Sequence, residues 1–216
     1  MDEDVRAGQA AYTPLTLRIY DWFVLGFSNR FLWRCPTPEL EALYDRNVSA
    51  RHLDIGVGTG YFLDKAAWPV AAPEITLVDL NPHSLDAAAR RIARYSPVTF
   101  AANVLEPLPL ERTFDSVGLC YLLHCVPGPI PEKAAMFDHL APVMSDGAAV
   151  FGATIVQGGA PRSGAAQALM NLYNRKGIFS NTEDTFEDLE AELQKRFADV
   201  RLTRHGAVVA FEARKR

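Results

Sequence analysis

The sequence predicts an α/β fold in which a mostly parallel sheet is covered by helices. Two observations carry that expectation. From about residue 52, apolar strand-like runs alternate with helix-like ones, and a glycine-rich turn stands between the first run and its helix. "RHLDIG" (51–56) reads as the first strand, "YFLDKAA" (61–67) as the helix after it and "EITLVDL" (74–80) as the second strand. Asn81 then caps a helix with Pro82 in its first turn and Leu85, Ala88, Ala89, Ile92 and Ala93 along one face. "PVTFAAN" (97–103) is a third strand and "DSVGLCYLL" (115–123) a fourth. "PEKAAMFDHLAPVM" (131–144) is a helix closed by the turn "SDG", and "AAVFGATIV" (148–156) a fifth strand. Thr185 and Asp188 form a capping-box-like start to a helix whose inner face is Phe186, Leu189, Leu193 and Phe197. "DVRLTRHGAVVAFEAR" (199–214) closes the sheet as a hairpin turning at His205–Gly206.

The first 50 residues differ. Seven aromatics (Tyr12, Tyr20, Trp22, Phe23, Phe27, Phe31, Trp33) fall between positions 12 and 33, more than a short helix needs for docking. The segment reads as an N-terminal helical cap over one edge of the sheet. With no repeat or Gly/Ser linker, the expected organisation is one domain: a cap over 1–49 and a core over 50–216.

Composition narrows the function. Of 216 residues, 49% are hydrophobic and 22% charged, the balance of a soluble globular protein. A net charge of −4 argues against electrostatic capture of nucleic acid. Cys35, Cys120 and Cys125 form no CxxC pair and offer no zinc spacing, so no metal is expected. An odd cysteine count and an acidic start without an apolar run point to reduced thiols and a cytoplasmic protein. "YDWFVLGFSNRFLW" (20–33), the most apolar region, is broken by Asp21, Asn29 and Arg30 and is too short to span a bilayer. It also lacks the basic face of an interfacial helix, so no stable membrane insertion is expected.

The chemistry concentrates in the loop Asp54-Ile55-Gly56-Val57-Gly58-Thr59-Gly60. Glycine is needed where the backbone turns with positive φ or where a ligand approaches it closely. A strand, a glycine loop and a helix N-terminus together make a nucleotide site at the carboxyl end of a parallel sheet. The dinucleotide fingerprint is G-x-G-x-x-G; here the third glycine comes one residue early and Tyr61 stands in its place, which disfavours NAD. Asp79 ends the second strand, 19 residues after Gly60. A carboxylate there can accept both ribose hydroxyls and disfavours the 2′-phosphate of NADP. The combination reads as a site for an adenosine ligand without a pyrophosphate.

These stretches carry a resemblance. "LDIGVGTGYF" and "VDLNPHSL" resemble the first two motifs of class I S-adenosylmethionine (SAM) dependent methyltransferases, and "FDSVGLCYLLHCVPG" resembles their fourth. The resemblance is firm over about residues 50–155 and extends to the C-terminal hairpin by pattern. It implies a Rossmann-like sheet of seven strands in the order 3-2-1-4-5-7-6, the last antiparallel, with helices on both faces. It also implies roles: Gly56, Gly58 and Gly60 let SAM lie against the loop, and Asp54 orients the methionine amino group, directly or through water. Asp79 binds the ribose and Leu80 packs on the adenine. Where the family often has an aspartate after the third strand, this chain reads Asn103-Val104, whose amide oxygen can still accept from the adenine amino group. Leu119 and Cys120 present backbone to the methionine end.

Methyl transfer from a sulfonium is an in-line displacement that needs a held nucleophile and often the loss of one proton. His124 reads either as that base or as a packing histidine. His83 reads as surface or cofactor rim, His52 and His205 as structural, and His139 as surface. Cys120 and Cys125 flank His124, and neither is assigned a covalent role. Resembling small-molecule enzymes often close a cap helix over SAM, which makes Tyr12 and Tyr20 candidates for the cofactor's carboxylate or the acceptor; plain packing is the alternative. The insert at about 157–183, the usual place for acceptor specificity in these enzymes, offers Met170, Tyr173, Asn174 and Phe179 as pocket residues, or else as core.

The leading expectation is therefore a methyltransferase acting on O, N, S or C of a small-molecule acceptor, such as a secondary metabolite, working as a monomer or homodimer. The chain lacks the Asn/Asp-Pro-Pro-aromatic signature with which resembling enzymes grip a flipped base. The alternative is a SAM-binding protein without methyl transfer, a cyclase or pseudoenzyme.

Overall fold

The computed structural model describes residues 29, 32–158 and 162–216. Seven strands form one sheet: β1 (Arg51–Ile55), β2 (Glu74–Asp79), β3 (Val98–Ala101), β4 (Phe114–Cys120), β5 (Met144–Ile155), β6 (Phe197–His205) and β7 (Val208–Lys215). Their spatial order is β3-β2-β1-β4-β5-β7-β6. Pairings β1–β2, β1–β4, β2–β3 and β4–β5 are parallel, whereas β7 runs antiparallel to both β5 and β6. This is the sheet the resemblance implied.

The helices are α1 (Thr37–Asn47), α2 (Tyr61–Lys65), α3 (Pro82–Arg91), α4 (Ile130–Lys133), α5 (Ala135–Leu140), α6 (Gly164–Arg175) and α7 (Phe186–Arg196). They cover both faces, and each face has its own core. On one side Leu40, Leu43, Leu85 and Met170 from α1, α3 and α6 pack on Leu77, Phe151 and Ile155. On the other, Ile130, Phe137, Leu140 and Leu189 from α4, α5 and α7 pack on Leu53, Val117 and Val150. Consecutive Val150 and Phe151 divide between the cores because successive strand side chains point to opposite faces. The local start signals operate as expected. Asn81 Oδ1 accepts the His83 N–H at 2.9 Å, and Thr185 Oγ1 accepts the Asp188 N–H at 3.0 Å.

Four expectations shift. Of the cap, α1 lies not over an edge but across the face, where Tyr44 meets the Phe151 ring of β5 edge-on at 5.0 Å between centroids. Its remaining aromatics, Tyr12, Tyr20, Trp22, Phe23, Phe27 and Phe31, lie outside the described residues. The helix read at 131–144 is α4, α5 and a 3-10 turn at Ala141–Val143, where Pro142 offers no N–H to continue an α-helix. "SDG" does not end an element. Phe114 pairs with Met144 and Ser116 with Ala149, so the extra residues bulge out of β5, with Gly147 at φ 71°. The hairpin turns one residue later, at Gly206–Ala207, with His205 still paired to Val208 and Gly206 at φ 59°.

Candidate active site

A cleft opens at the carboxyl ends of β1, β2 and β4, and the glycine loop forms its floor. The loop returns close to the sheet because Gly56 N–H bonds the Val78 carbonyl and Gly60 N–H bonds that of Val57, both at 2.9 Å. The glycines have distinct reasons to be glycine. A Cβ on Gly60 (φ 71°) would come within 2.9 Å of Ala88 Cα, so this residue lets α3 pack against the loop. A Cβ on Gly58 (φ 51°) would meet nothing within 4 Å, which leaves the cleft floor open to a ligand.

Asp79 and Leu80 line the cleft at the end of β2, and Asn103 and Val104 line it after β3. Burial pushes the Asp79 carboxyl up to about 6, against the backbone N–H groups of Asn81, Gly58 and Val57, which favour its charged form. The Asn81 N–H donates to Oδ1 at 2.8 Å. Asn103 Oδ1 accepts the Leu105 N–H at 3.1 Å, so one of its lone pairs is already engaged. Asp54 lies buried at the inner wall, with Oδ2 accepting from Tyr44 Oη at 2.9 Å. Leu119 points its side chain into the core, while Cys120 reaches the cleft. Burial drives the Cys120 thiol well above its usual range, which disfavours the thiolate there.

These residues fit an adenosine-bearing ligand: open space over Gly58, an ionisable carboxylate at the strand end and apolar walls at Leu80 and Val104. Asp79, Leu80, Asn103 and the loop would hold the nucleoside, and Asp54 the amino-acid arm.

The residues expected on the acceptor side divide. His124 is buried behind the cleft rather than in its lining. Its Nδ1 accepts the Ile155 N–H at 3.3 Å, with Thr154 Oγ1 at 3.4 Å. Because that nitrogen takes a backbone N–H, the proton of the neutral ring sits on Nε2. Burial, reinforced by the nearby Lys133 ammonium, pushes the imidazole down to about 3. Of the two readings of His124, this setting supports the packing histidine over the general base at neutral pH. Phe179 packs on His124 at 4.6 Å and on Tyr173 at 5.0 Å between centroids. Met170 is fully buried and belongs to the core rather than to a pocket. The Asn174 amide donates to the Met170 carbonyl at 3.0 Å and to Asn181 Oδ1 at 2.9 Å, so it is spent on structure. None of Met170, Tyr173, Asn174 and Phe179 reaches the cleft lining. Tyr12 and Tyr20 lie outside the described residues.

Among the lining residues that the sequence reading did not single out, two bear most directly on the site. Tyr121, the first residue beyond β4, holds φ 61°, an unusual conformation for a ring-bearing residue. It is over-determined: its N–H donates to the Ala153 carbonyl at 2.7 Å and its hydroxyl to Asn29 Oδ1 at 2.9 Å. The left-handed turn aims its ring at the cleft, with His124 edge-on at 5.6 Å. Tyr44 is the other, and nothing in the local pattern of α1 marks it.

Comparison with known proteins agrees with this geometry. Residues 53–150 match a family model described as a methyltransferase domain. The chain is 48% identical over 214 residues to demethylluteothin O-methyltransferase of Streptomyces thioluteus, spanning 99% of this chain and 93% of that protein. It is 37% identical to the physcion biosynthesis cluster O-methyltransferase of Aspergillus chevalieri, spanning 96% and 95%. Among solved structures, a phosphoethanolamine N-methyltransferase of Haemonchus contortus shares the fold with a TM-score of 0.74 at 16% identity, over 100% of this chain and 61% of that one. The N-methyltransferase NodS of Bradyrhizobium japonicum, bound to S-adenosylhomocysteine, aligns with a TM-score of 0.63 at 14% identity, over 99% of both chains. With the cleft, the strand order and relatives of this identity over nearly the full length, the chain belongs to the class I S-adenosylmethionine-dependent methyltransferases that act on small molecules.

Proposed function

We propose that this enzyme methylates a hydroxyl oxygen of a small secondary metabolite, and that the hydroxyl is acidic enough to arrive as its anion. The single observation that carries the second half is the neutral, N–H-bearing His124, held down to about 3. The other histidines offer no substitute. His52 is fully buried, His83 is exposed on α3, and His139 and His205 sit on α5 and at the end of β6. The first half draws on relatives named O-methyltransferases in two distant organisms.

Bound in the cleft, SAM supplies an electrophilic methyl carbon on its sulfonium. The chain's own contribution is binding and orientation. Asp79 would accept the ribose hydroxyls, Leu80 and Val104 would flank the adenine, and the second lone pair of Asn103 Oδ1 would receive the adenine amino group. The backbone at Leu119 and Cys120 would face the methionine end. Tyr121 would close the acceptor side, with the His124, Tyr173 and Phe179 cluster behind it setting the pocket's depth from outside the lining. The same reading has one domain with residues 157–183 as the acceptor-side insert, active in the cytoplasm as a monomer or homodimer without nucleic acid. Among the described residues, no helix is long and apolar enough to cross a membrane.

The test is incubation with methyl-labelled SAM and a panel of phenols, enols, thiols and amines. S-adenosylhomocysteine should form with acidic hydroxyls, and kcat/KM should follow the ionisation of each acceptor rather than one enzyme group. Tight SAM binding with no S-adenosylhomocysteine on any acceptor would instead favour a SAM-binding protein that does not transfer methyl.

A further inference from the structure

We propose that Tyr44 and His52 are positioning residues that fix the Asp54 carboxylate for the ammonium group of the cofactor's amino-acid arm. The proposal rests on the reading of the cleft as a SAM site. It starts from proton accounting in a buried chain. Ser116 Oγ accepts the Ser49 N–H at 2.9 Å and lies 2.8 Å from His52 Nδ1, which fixes one side of the imidazole. An ionised carboxylate oxygen only accepts, so the other ring nitrogen presents its Nε2–H to Asp54 Oδ2 at 3.3 Å. Tyr44 Oη donates to that same oxygen at 2.9 Å. Burial drives the Tyr44 phenol well above its usual range, so it stays a donor.

Two donors therefore converge on Oδ2, and the other oxygen, Oδ1, is left for the cleft that Asp54 lines. The carboxylate's setting is built for this pose. A Cβ on Gly118 would lie 2.6 Å from Oδ2, so only glycine admits the carboxylate here. The His52 ring stacks on Phe151 at 5.9 Å and meets Trp68 edge-on at 5.4 Å, while Tyr44 stacks on Phe62 at 5.2 Å. No lysine or arginine pairs with Asp54 among the described residues. A buried carboxylate held by donors on one oxygen still needs a partner on the oxygen that faces the cleft, and a ligand ammonium meets that need.

The experiment is calorimetric titration of the purified protein with S-adenosylhomocysteine and with its desamino analogue, which lacks only the ammonium. The wild type should bind the first at least 10-fold more tightly, the scale of one hydrogen bond to a charged group. Tyr44→Phe keeps the ring and its packing, and should lower affinity for S-adenosylhomocysteine about 5- to 10-fold while changing the desamino affinity less than 2-fold. His52→Gln should act in the same direction, with thermal melting to confirm its fold. Equal losses for both ligands in Tyr44→Phe, or no loss for either, would reduce the chain to structure and overturn the proposal. So would a wild type that binds both ligands equally. A wild type that binds neither ligand overturns the SAM reading itself.

Discussion

At Asp79 the carboxyl that would hold the ribose is disfavoured in its charged form by its own burial, and its ionisation sits near 6. Only the ionised group can accept from two hydroxyls, so cofactor affinity should be level above pH 7 and fall toward 10-fold per unit below about 6. Titration with S-adenosylhomocysteine between pH 5 and 8 reads this directly, and Asp79→Asn should weaken binding about 10-fold and abolish the slope. His124 runs the other way and on stability. Its folded value near 3 lies below the unfolded value near 6.5, so its neutral burial stabilises fully above 6.5 and is lost as pH falls toward 3. The ceiling on that loss is about 4–5 kcal/mol. His124→Asn keeps an acceptor for the Ile155 N–H but cannot titrate. Urea unfolding should therefore show the wild type losing its advantage over the variant between pH 6.5 and 4.

Among the elements, the glycine loop separates fold from function. Gly58→Ala and Gly60→Ala both bear the left-handed cost of about 1–2 kcal/mol. Only Gly60→Ala also drives a methyl into the Ala88 backbone. Gly60→Ala should lower the melting temperature markedly, whereas Gly58→Ala should fold and lose cofactor affinity. On the opposite face, Lys133 and Asp184 form a fully buried pair at 2.7 Å, with the Ser180 carbonyl also on the ammonium at 2.5 Å. Burial pushes Lys133 down and Asp184 up to about 6, so neither charge is comfortable. Lys133→Met should cost about 3–5 kcal/mol by stranding Asp184, and adding Asp184→Leu should restore most of it, as chemical denaturation would show. The strands and the caps at Asn81 and Thr185 were legible because their signals are local: apolar runs, and a polar side chain two or three residues from its partner. The loop and Asp79 were legible because strand, turn and strand end follow one another at fixed spacing. Lys133–Asp184 and His52–Ser116, separated by 51 and 64 residues, leave no such trace. Tyr121 was hidden because only a left-handed backbone turns its ring to the cleft. Met170 sits on the inward side of an amphipathic helix whose two faces the sequence alone could not orient.

Over the whole molecule, the strand order places the cleft where the chain reverses direction. From β1 the sheet grows one way through β2 and β3 and the other way through β4 and β5. The loops after β1 and β4 therefore diverge and leave a crevice between them. The two cores hold that crevice from opposite faces, and α1 brings Tyr44 to it from outside the glycine-loop motif. In the proposed reading the two walls would hold a nucleoside on the β1–β2 side and an acceptor on the β4 side. The most direct measurement is product analysis by mass spectrometry and carbon NMR after reaction with carbon-13 methyl SAM and acidic phenols and enols. An O-methyl carbon signal that appears with stoichiometric S-adenosylhomocysteine is the expected result. Label found on nitrogen, sulfur or carbon, or no transfer to any hydroxyl despite tight cofactor binding, would contradict it.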